Sequence, residues 1–182
     1  MERISQRERY DRGGIGRWYW DYRDRTVMKL LGDGPILDAG CGEMITTRKI
    51  PGAIGMDLDQ GDVRGSAYNI PFPSETFGTV LLLEVIEHLK RPGDAISEIR
   101  RVLKPGGKLI MLFPNDRVFK IARALYGRWA DCVRDWGHID EQNPMVWRIV
   151  LRMLGFRICR SRSIPFRFWP VSLHHVIVGE KC

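Results

Sequence analysis

Ile36-Leu37-Asp38-Ala39-Gly40-Cys41-Gly42 is the stretch that decides the fold. It is a short apolar segment that ends in a carboxylate and is followed by two glycines one residue apart. Glycine adopts main-chain angles that other residues avoid, and its missing side chain lets a ligand lie against the main chain. The pattern predicts a strand and turn of an α/β sheet that binds a nucleoside-bearing cofactor. A dinucleotide site would need a third glycine and a helix after the turn.

The composition is that of one globular domain of 182 residues. The four cysteines are scattered and form no C-x-x-C pair, which favours reduced thiols and a cytoplasmic protein over a disulfide framework or a zinc knuckle. No apolar run is long enough to cross a bilayer. We divide the domain into an N-terminal helical cover (1–34), a cofactor-binding core (35–116) and a segment of acceptor-side helices and closing strands (117–182).

The basic excess of the chain lies in its last third. The formal net charge is +7, and residues 117–182 contain twelve Lys and Arg against five Asp and Glu. Such an excess suits nucleic acid, anionic lipid or an acidic substrate. A solvated basic surface explains it equally well.

Strand and helix patterns alternate through the core. Strands are predicted at 36–38, 53–57, 77–85 and 108–113, and helices at 94–103 and in the second half of 7–31. The order predicts an α/β fold: a Rossmann-like, mostly parallel sheet with helices on both faces and an antiparallel closing strand. A parallel crossover normally takes about a dozen residues. The second crossover, after residue 57, is shortened and has no room for a helix.

The tail has a pattern of its own. Apolar residues recur at helical spacing over 118–129, and a further helix is predicted to begin at Asn143, a cap followed by proline. Segments 156–163 and 173–179 are predicted to be the closing strands. The residues that the later helix is expected to bury are Val146, Ile149, Val150, Met153 and Leu154.

Three motifs follow one another at a characteristic spacing. They are Leu37-Asp38-Ala39-Gly40-Cys41-Gly42, then Asn69 to Phe77 running into Leu83-Glu84-Val85-Ile86-Glu87-His88-Leu89, then Arg101-Val102-Leu103-Lys104-Pro105-Gly106-Gly107-Lys108-Leu109. With them the chain resembles the class I S-adenosylmethionine-dependent methyltransferases, specifically the small-molecule branch that includes the ubiquinone-biosynthesis enzymes. The resemblance spans about 35–115 and, more loosely, 138–181. It implies methyl transfer from S-adenosyl-L-methionine to a small or lipid-like acceptor by in-line displacement.

The resemblance also implies roles for the strand ends. Gly40 and Gly42 would pass beneath the methionine and ribose, and Asp38 would help to hold the amino end. Asp57 would accept hydrogen bonds from the ribose hydroxyls, with Asp59 as the alternative.

The adenine side departs from the family pattern. Ser66 and Ala67 stand where an aspartate before alanine is common, and Asp62 is an alternative contact from the same loop. Glu84 would line the far side of the cofactor. Met44 occupies the place of a third glycine, and Gly78 stands where the next strand usually opens with aspartate.

A general base would help if the acceptor is a hydroxyl or an amine. His88 and His138 are the catalytic candidates by position, and a packing role at a helix end is the alternative for each; His174 and His175 are expected to be structural. No spacing indicates a metal site. Leu83-Glu84-Val85-Ile86 replaces the Asn/Asp-Pro-Pro-aromatic tetrad of nucleic-acid amino-methyltransferases, which argues against a nucleic-acid acceptor. The stretch 118–136 could shield a hydrophobic acceptor, rest on an anionic membrane or pack on its own domain.

Two other functions remain open at this point. A methyltransferase-fold module with weak or no catalysis could act as a binding or regulatory partner, a hypothesis that Met44, Ser66 and the missing helix motivate. A nicotinamide dehydrogenase is disfavoured by the single Gly-x-Gly and by the Glu-Val-Ile-Glu-His run.

Overall fold

A seven-stranded sheet forms the centre of the computed structural model, which describes residues 6–11, 13–115, 117–118 and 143–182. The sheet order is β3-β2-β1-β4-β5-β7-β6. All pairs are parallel except those of β7, which is antiparallel to both neighbours. The predicted fold class is therefore confirmed. The strands are β1 (Ile36–Ala39), β2 (Ala53–Asp57), β3 (Val63–Arg64), β4 (Phe77–Leu83), β5 (Leu103–Pro114), β6 (Phe156–Ile164) and β7 (His174–Lys181).

Helices cover both faces of this sheet, because its central strands are apolar on both sides. The described helices are α1 (Gln6–Asp11), α2 (Gly14–Met28), α3 (Pro92–Val102) and α4 (Pro144–Met153). Ile99 of α3 and Leu151 of α4 belong to the same core cluster as Leu82 and Met111. Val27 of α2 packs on the opposite face.

The second crossover is as short as the sequence predicted. Only residues 58–62 connect β2 to β3. The two strands are parallel, and Met56 of β2 pairs with Val63 of β3. The loop folds tightly against β2: Asp62 Oδ2 accepts a hydrogen bond from Gly55 N at 2.9 Å. A Cβ at Gly61 would lie 2.7 Å from Gly55 O. Since only two residues of β3 pair, the chain needs to travel back by only a short distance.

In the core, two strand ends differ from the prediction by two residues or more. Strand β5 begins at Leu103 rather than at residue 108, because Leu103 already pairs with Phe77 of β4; the Lys-Pro-Gly-Gly segment forms the irregularity before pairing resumes at Lys108. Strand β4 ends at Leu83 rather than at residue 85, because Glu84 adopts the left-handed conformation with φ 55°.

The buried face of α4 was predicted only in part: Val150 and Leu154 pack against the core, but the other three residues do not. The helix begins as expected, with the Asn143 side chain accepting a hydrogen bond from Met145 N at 2.9 Å. Val146, Ile149 and Met153, however, are exposed by 52%, 48% and 80%. Trp147 and Leu151 are buried instead. The helix is apolar on both sides, so periodicity alone does not choose between its two faces.

The segment 119–142, which contains most of the predicted helical face over 118–129, lies outside the described residues. Among the residues that are described, no helix is long and apolar enough to cross a membrane.

Candidate cofactor site

The glycine turn after β1 is shaped by close packing. Gly40 has φ +85°, and its N–H donates to Met56 O at 2.7 Å. A Cβ at Gly40 would lie 2.4 Å from Val85 Cγ2, so only glycine fits. Met44 has φ 60°, a conformation that favours glycine. The left-handed backbone at this position explains why the family usually has a third glycine there. In this protein a methionine adopts that strained conformation instead.

Asp38 ends β1 as a buried carboxylate with one unsatisfied oxygen. Its Oδ2 accepts a hydrogen bond from Thr47 Oγ1 at 2.5 Å, whereas Oδ1 has no hydrogen-bond partner among the described residues. Burial raises the pKa of Asp38 to about 6, although the Thr47 hydroxyl and the Arg23 guanidinium oppose the shift. The side chain is prepared to receive a cationic donor.

Asp57 ends β2 and faces the same turn. Its Oδ2 accepts from Gly42 N at 3.0 Å and its Oδ1 accepts from Asp59 N at 3.2 Å. The carboxylate thereby fixes the glycine turn and keeps lone pairs for other donors. Of the two alternatives, Asp59 is exposed, and Asp62 is bound to the backbone of β2.

Two cavities meet at this turn. The larger has a volume of about 660 Å³, and the smaller has about 70 Å³. Gly40, Gly42 and Glu84 line both of them. The predicted cofactor residues are all brought together here: Asp38 lines the smaller cavity, and Asp57, Ser66 and Ala67 line the larger one.

The floor of the smaller cavity is an ionic cluster that sequence reasoning missed. The Arg23 guanidinium, from α2, is buried and donates to Glu84 Oε1. It also donates to Asp24 Oδ1 at 2.9 Å and to Thr46 Oγ1 at 2.9 Å, and it lies 4.9 Å from the Trp20 ring centroid. Helix α2 is thus bound directly to Glu84, which follows β4, and to Thr46, which follows the glycine turn.

Glu84 is the hub of this cluster. His174 Nε2, at the start of β7, lies 3.4 Å from Glu84 Oε1, and His174 Nδ1 is 2.7 Å from the Tyr19 hydroxyl. Burial opposes ionisation of Glu84, but the Arg23 guanidinium and His174 outweigh it and hold the pKa of Glu84 well below its usual range. The carboxylate is therefore ionised, and the Arg23 guanidinium balances its charge where the two cavities meet.

A second ion pair attaches α2 to the region after the turn. Lys49 Nζ lies 2.8 Å from Asp21 Oδ1 and 2.7 Å from Asp24 Oδ2. The Tyr10 hydroxyl donates to Asp21 at 2.8 Å. Sequence offered one signal for this cluster, the charged pair Arg23-Asp24 in the middle of an aromatic and apolar segment.

The catalytic candidates are only partly described. His88 is exposed and lines the larger cavity, whereas His138 lies outside the described residues. His174, which was expected to be structural, lies in the Glu84 cluster. His175 packs between Ser161 and Ser163, with 2.8 Å to each hydroxyl, and burial lowers its pKa to about 4.

Cys41 is held beneath the turn, against β2. A Cβ at Gly55 would lie 2.9 Å from Cys41 Sγ. Burial, with Asp38 and Asp57 nearby, raises the pKa of Cys41 to about 12, so the thiol is a poor nucleophile. Over the described part of the chain, no cluster of His, Cys, Asp and Glu could hold a metal ion.

Known proteins share this sequence pattern and this fold. A protein of Mycolicibacterium smegmatis, named "Probable S-adenosylmethionine-dependent methyltransferase", is 31% identical over 161 residues, which are 77% of this chain and 60% of that protein. The chain thus spans less than two thirds of that relative. A ubiquinone/menaquinone biosynthesis C-methyltransferase of a Ruegeria species is 40% identical over 63 residues, 32% of this chain and 25% of that protein.

The fold comparison agrees. The crystal structure of an S-adenosylmethionine-dependent methyltransferase from Thermotoga maritima superposes with a TM-score of 0.71 at 21% identity, covering 91% of this chain and 94% of that one. Residues 37–111 match the family described as "Methyltransferase domain", a range that includes all three sequence motifs. The predicted resemblance is confirmed: residues 37–111 match a methyltransferase domain, and the chain is similar to proteins named as S-adenosylmethionine-dependent methyltransferases.

Proposed function

We propose that this protein transfers a methyl group from S-adenosyl-L-methionine to a small or lipid-like acceptor. One observation supports this most: the seven residues selected from sequence as cofactor contacts all line one pair of adjoining cavities. They come from three strand ends and one loop that are distant in sequence. A volume of about 660 Å³ is within the range of small-molecule sites.

The charges at the site fit the cofactor from end to end. The unsatisfied Asp38 Oδ1 suits the ammonium of the methionine end. Asp57 has lone pairs for the ribose hydroxyls. Ser66 Oγ already accepts from Tyr68 N at 3.2 Å, so its hydroxyl proton is the part that is available to adenine. The fit is thus best at the amino-acid and ribose ends.

The bound cofactor supplies a methyl group that is already activated by a sulfonium charge. The chain's residues align and shield the reaction. The ion pair of Arg23 and Glu84 lies at the junction of the cavities, and α2 closes the smaller cavity through Trp20 and Arg23. We assign proton removal from an acidic acceptor to His88 or His138.

The three segments divide these tasks. We assign 1–34 as the cover, because Arg23 of α2 lines the smaller cavity. Residues 35–116 contribute the rest of both cavities. The acceptor side is assigned to 117–182. A small or lipid-like acceptor is supported by the Ruegeria relative, which is named for quinone biosynthesis, and by the absence of the nucleic-acid tetrad from residues 83–86.

Calorimetry with S-adenosylhomocysteine tests the cofactor part of the proposal. Asp57→Asn keeps an oxygen for Gly42 N but removes the ionised acceptor, and we expect binding weaker by about 1–3 kcal/mol. Asp59→Asn is the matched control, because the Asp59 carboxylate is exposed and lies only two residues after Asp57. This variant should bind S-adenosylhomocysteine as the wild type does. Equal losses in both variants would contradict the assignment of Asp57.

A second function is favoured by the Arg23–Glu84 ion pair, which leaves the smaller cavity only about 70 Å³. A fold module that binds the cofactor weakly or not at all, and acts through a partner, would have such a filled site. No heat of binding at millimolar S-adenosylhomocysteine would establish this alternative. Binding, followed by methyl transfer from labelled cofactor to quinone-like or small amine acceptors, would remove it.

A further inference from the structure

The outer face of α4 is apolar although no described residue covers it. Met145, Val146, Ile149 and Met153 are exposed by 69%, 52%, 48% and 80%. At 100° per residue these four side chains lie within one stripe of the helix. The opposite side of α4 supplies the contacts to the domain, so the stripe is not needed for packing.

Positive charge borders this stripe. Arg148 and Arg152 are exposed and lie one turn apart along one edge of it. Helix α4 contains no Asp or Glu, and residues 143–182 contain seven Lys and Arg against one acidic residue, Glu180. That residue is paired with Arg157 at 2.6 Å. We call the six residues the basic–apolar surface: Met145, Val146, Arg148, Ile149, Arg152 and Met153.

The loop after β6 has the same character. Phe166, Phe168 and Val171 are exposed by 59%, 65% and 52%, and Arg167 lies between the two aromatic rings in sequence. The loop leaves the sheet at Ile164, which pairs with the first residue of β7, and that residue pairs with Pro114 at the end of β5. It therefore lies at the carboxyl edge of the parallel strands, the edge that contains the cavities.

We infer that the basic–apolar surface docks on an anionic lipid bilayer. An apolar stripe edged by arginines inserts shallowly among head groups while the guanidinium groups remain at the phosphates. Each Lys or Arg near an anionic membrane surface contributes enough to change binding about fivefold. The nearly complete lack of acidic groups over 143–182 makes the surface complementary to lipid phosphate. The inference is independent of the cofactor cavities.

Vesicle co-sedimentation of the full chain tests it. The protein should sediment with vesicles of phosphatidylcholine mixed with phosphatidylglycerol, and not with phosphatidylcholine alone. Arg148→Gln/Arg152→Gln should weaken this binding about 30-fold, and Ile149→Ser/Met153→Ser should weaken it by about tenfold or more. Arg25→Gln/Lys29→Gln removes the same charge from exposed positions in the last turn of α2 and just after it, on the other face of the sheet, and should leave binding unchanged.

Several outcomes would overturn the inference. Equal sedimentation with both vesicle types, none with either, or equal loss in the α2 control would each do so. A dimer in sedimentation velocity that Ile149→Ser/Met153→Ser disperses would assign the surface to a second copy of the chain. Because all substituted residues are exposed, circular dichroism should show native folding, and S-adenosylhomocysteine binding should be retained whether or not vesicles are bound.

Discussion

In the ligand-free protein, the free energy of unfolding of Asp38→Asn should increase relative to that of the wild type as the pH rises. The same substitution should abolish tight cofactor binding. The wild-type carboxylate is buried with Oδ1 unsatisfied, and its pKa is raised from 3.8 to about 6. The folded state therefore holds its proton at pH values where the unfolded chain has already released it. Stability due to Asp38 is present below about pH 4 and is lost as the pH rises to about 6.

The size of the effect follows from the shift. About two pKa units at 1.36 kcal/mol each give a cost of about 3 kcal/mol above pH 6, of which about 2 kcal/mol develops between pH 4 and pH 8. Urea unfolding of wild type and Asp38→Asn across this range measures it. The difference between their free energies of unfolding should shift by about 2 kcal/mol in favour of the variant, because asparagine does not titrate.

Cofactor binding should show the opposite dependence on Asp38. S-adenosylhomocysteine supplies an ammonium to the ionised carboxylate, so wild-type affinity should fall by up to about tenfold per pH unit below pH 6. The Asp59→Asn variant should follow the wild type in both experiments. A stability difference that does not change between pH 4 and pH 8, or an Asp38→Asn protein that binds S-adenosylhomocysteine as the wild type does, would refute the reasoning.

Three further predictions concern the turn and its neighbours. Met44→Gly should be more stable than Met44→Ala by about 1 kcal/mol in urea unfolding, since both lose the side chain and only glycine relieves the left-handed strain; equal stabilities would contradict this strain. Gly78→Ala should cost several kcal/mol, on the order of 3 or more, because its Cβ would lie 1.7 Å from Asp33 O; Gly93→Ala, with open space around it, should be tolerated, and similar melting temperatures would refute the contact. Cys41 should resist iodoacetamide at pH 8 in the native protein, as mass spectrometry can show, because its pKa is raised to about 12; rapid native labelling would contradict this.

The fold was predictable because local signals and topology agree. Each of three segments has the apolar periodicity and the terminating residues that are typical of its element. They are the strand that ends at Asp38, the apolar run of β4 and the helix before the Lys-Pro-Gly-Gly segment. The sequence shows Met44 and Gly78 as departures from the family pattern. The physical consequence of each departure depends on the three-dimensional structure. A φ of 60° and a Cβ 1.7 Å from a carbonyl oxygen are not readable from residue types.

The buried face of α4 was predicted only in part because of its composition. Its apolar residues occupy most of the helix circumference. Helical periodicity in the sequence therefore identifies the longest apolar stripe, which is not the face that packs against the sheet. The large side chain of Trp147 is buried in the core, and Leu151, one helical turn later, is buried beside it. The exposed stripe that remains is the feature on which the membrane inference rests.

The ionic cluster was missed because it joins distant parts of the chain. Arg23, Glu84 and His174 lie on α2, at the end of β4 and at the start of β7, separated by 61 and 90 residues (84 − 23 and 174 − 84). No spacing rule relates such positions. Their meeting depends on the sheet order, in which β7 lies beside β5 and β5 beside β4.

The crystal structure of the protein with S-adenosylhomocysteine is the measurement that tests the central claim most directly. The account predicts its ammonium on Asp38 Oδ1, its ribose hydroxyls on Asp57 and its sulfur where the two cavities meet, beside Gly40 and Glu84. Crystals grown with saturating S-adenosylhomocysteine that show both cavities without it, or that show it bound away from Asp38 and Asp57, would contradict the account.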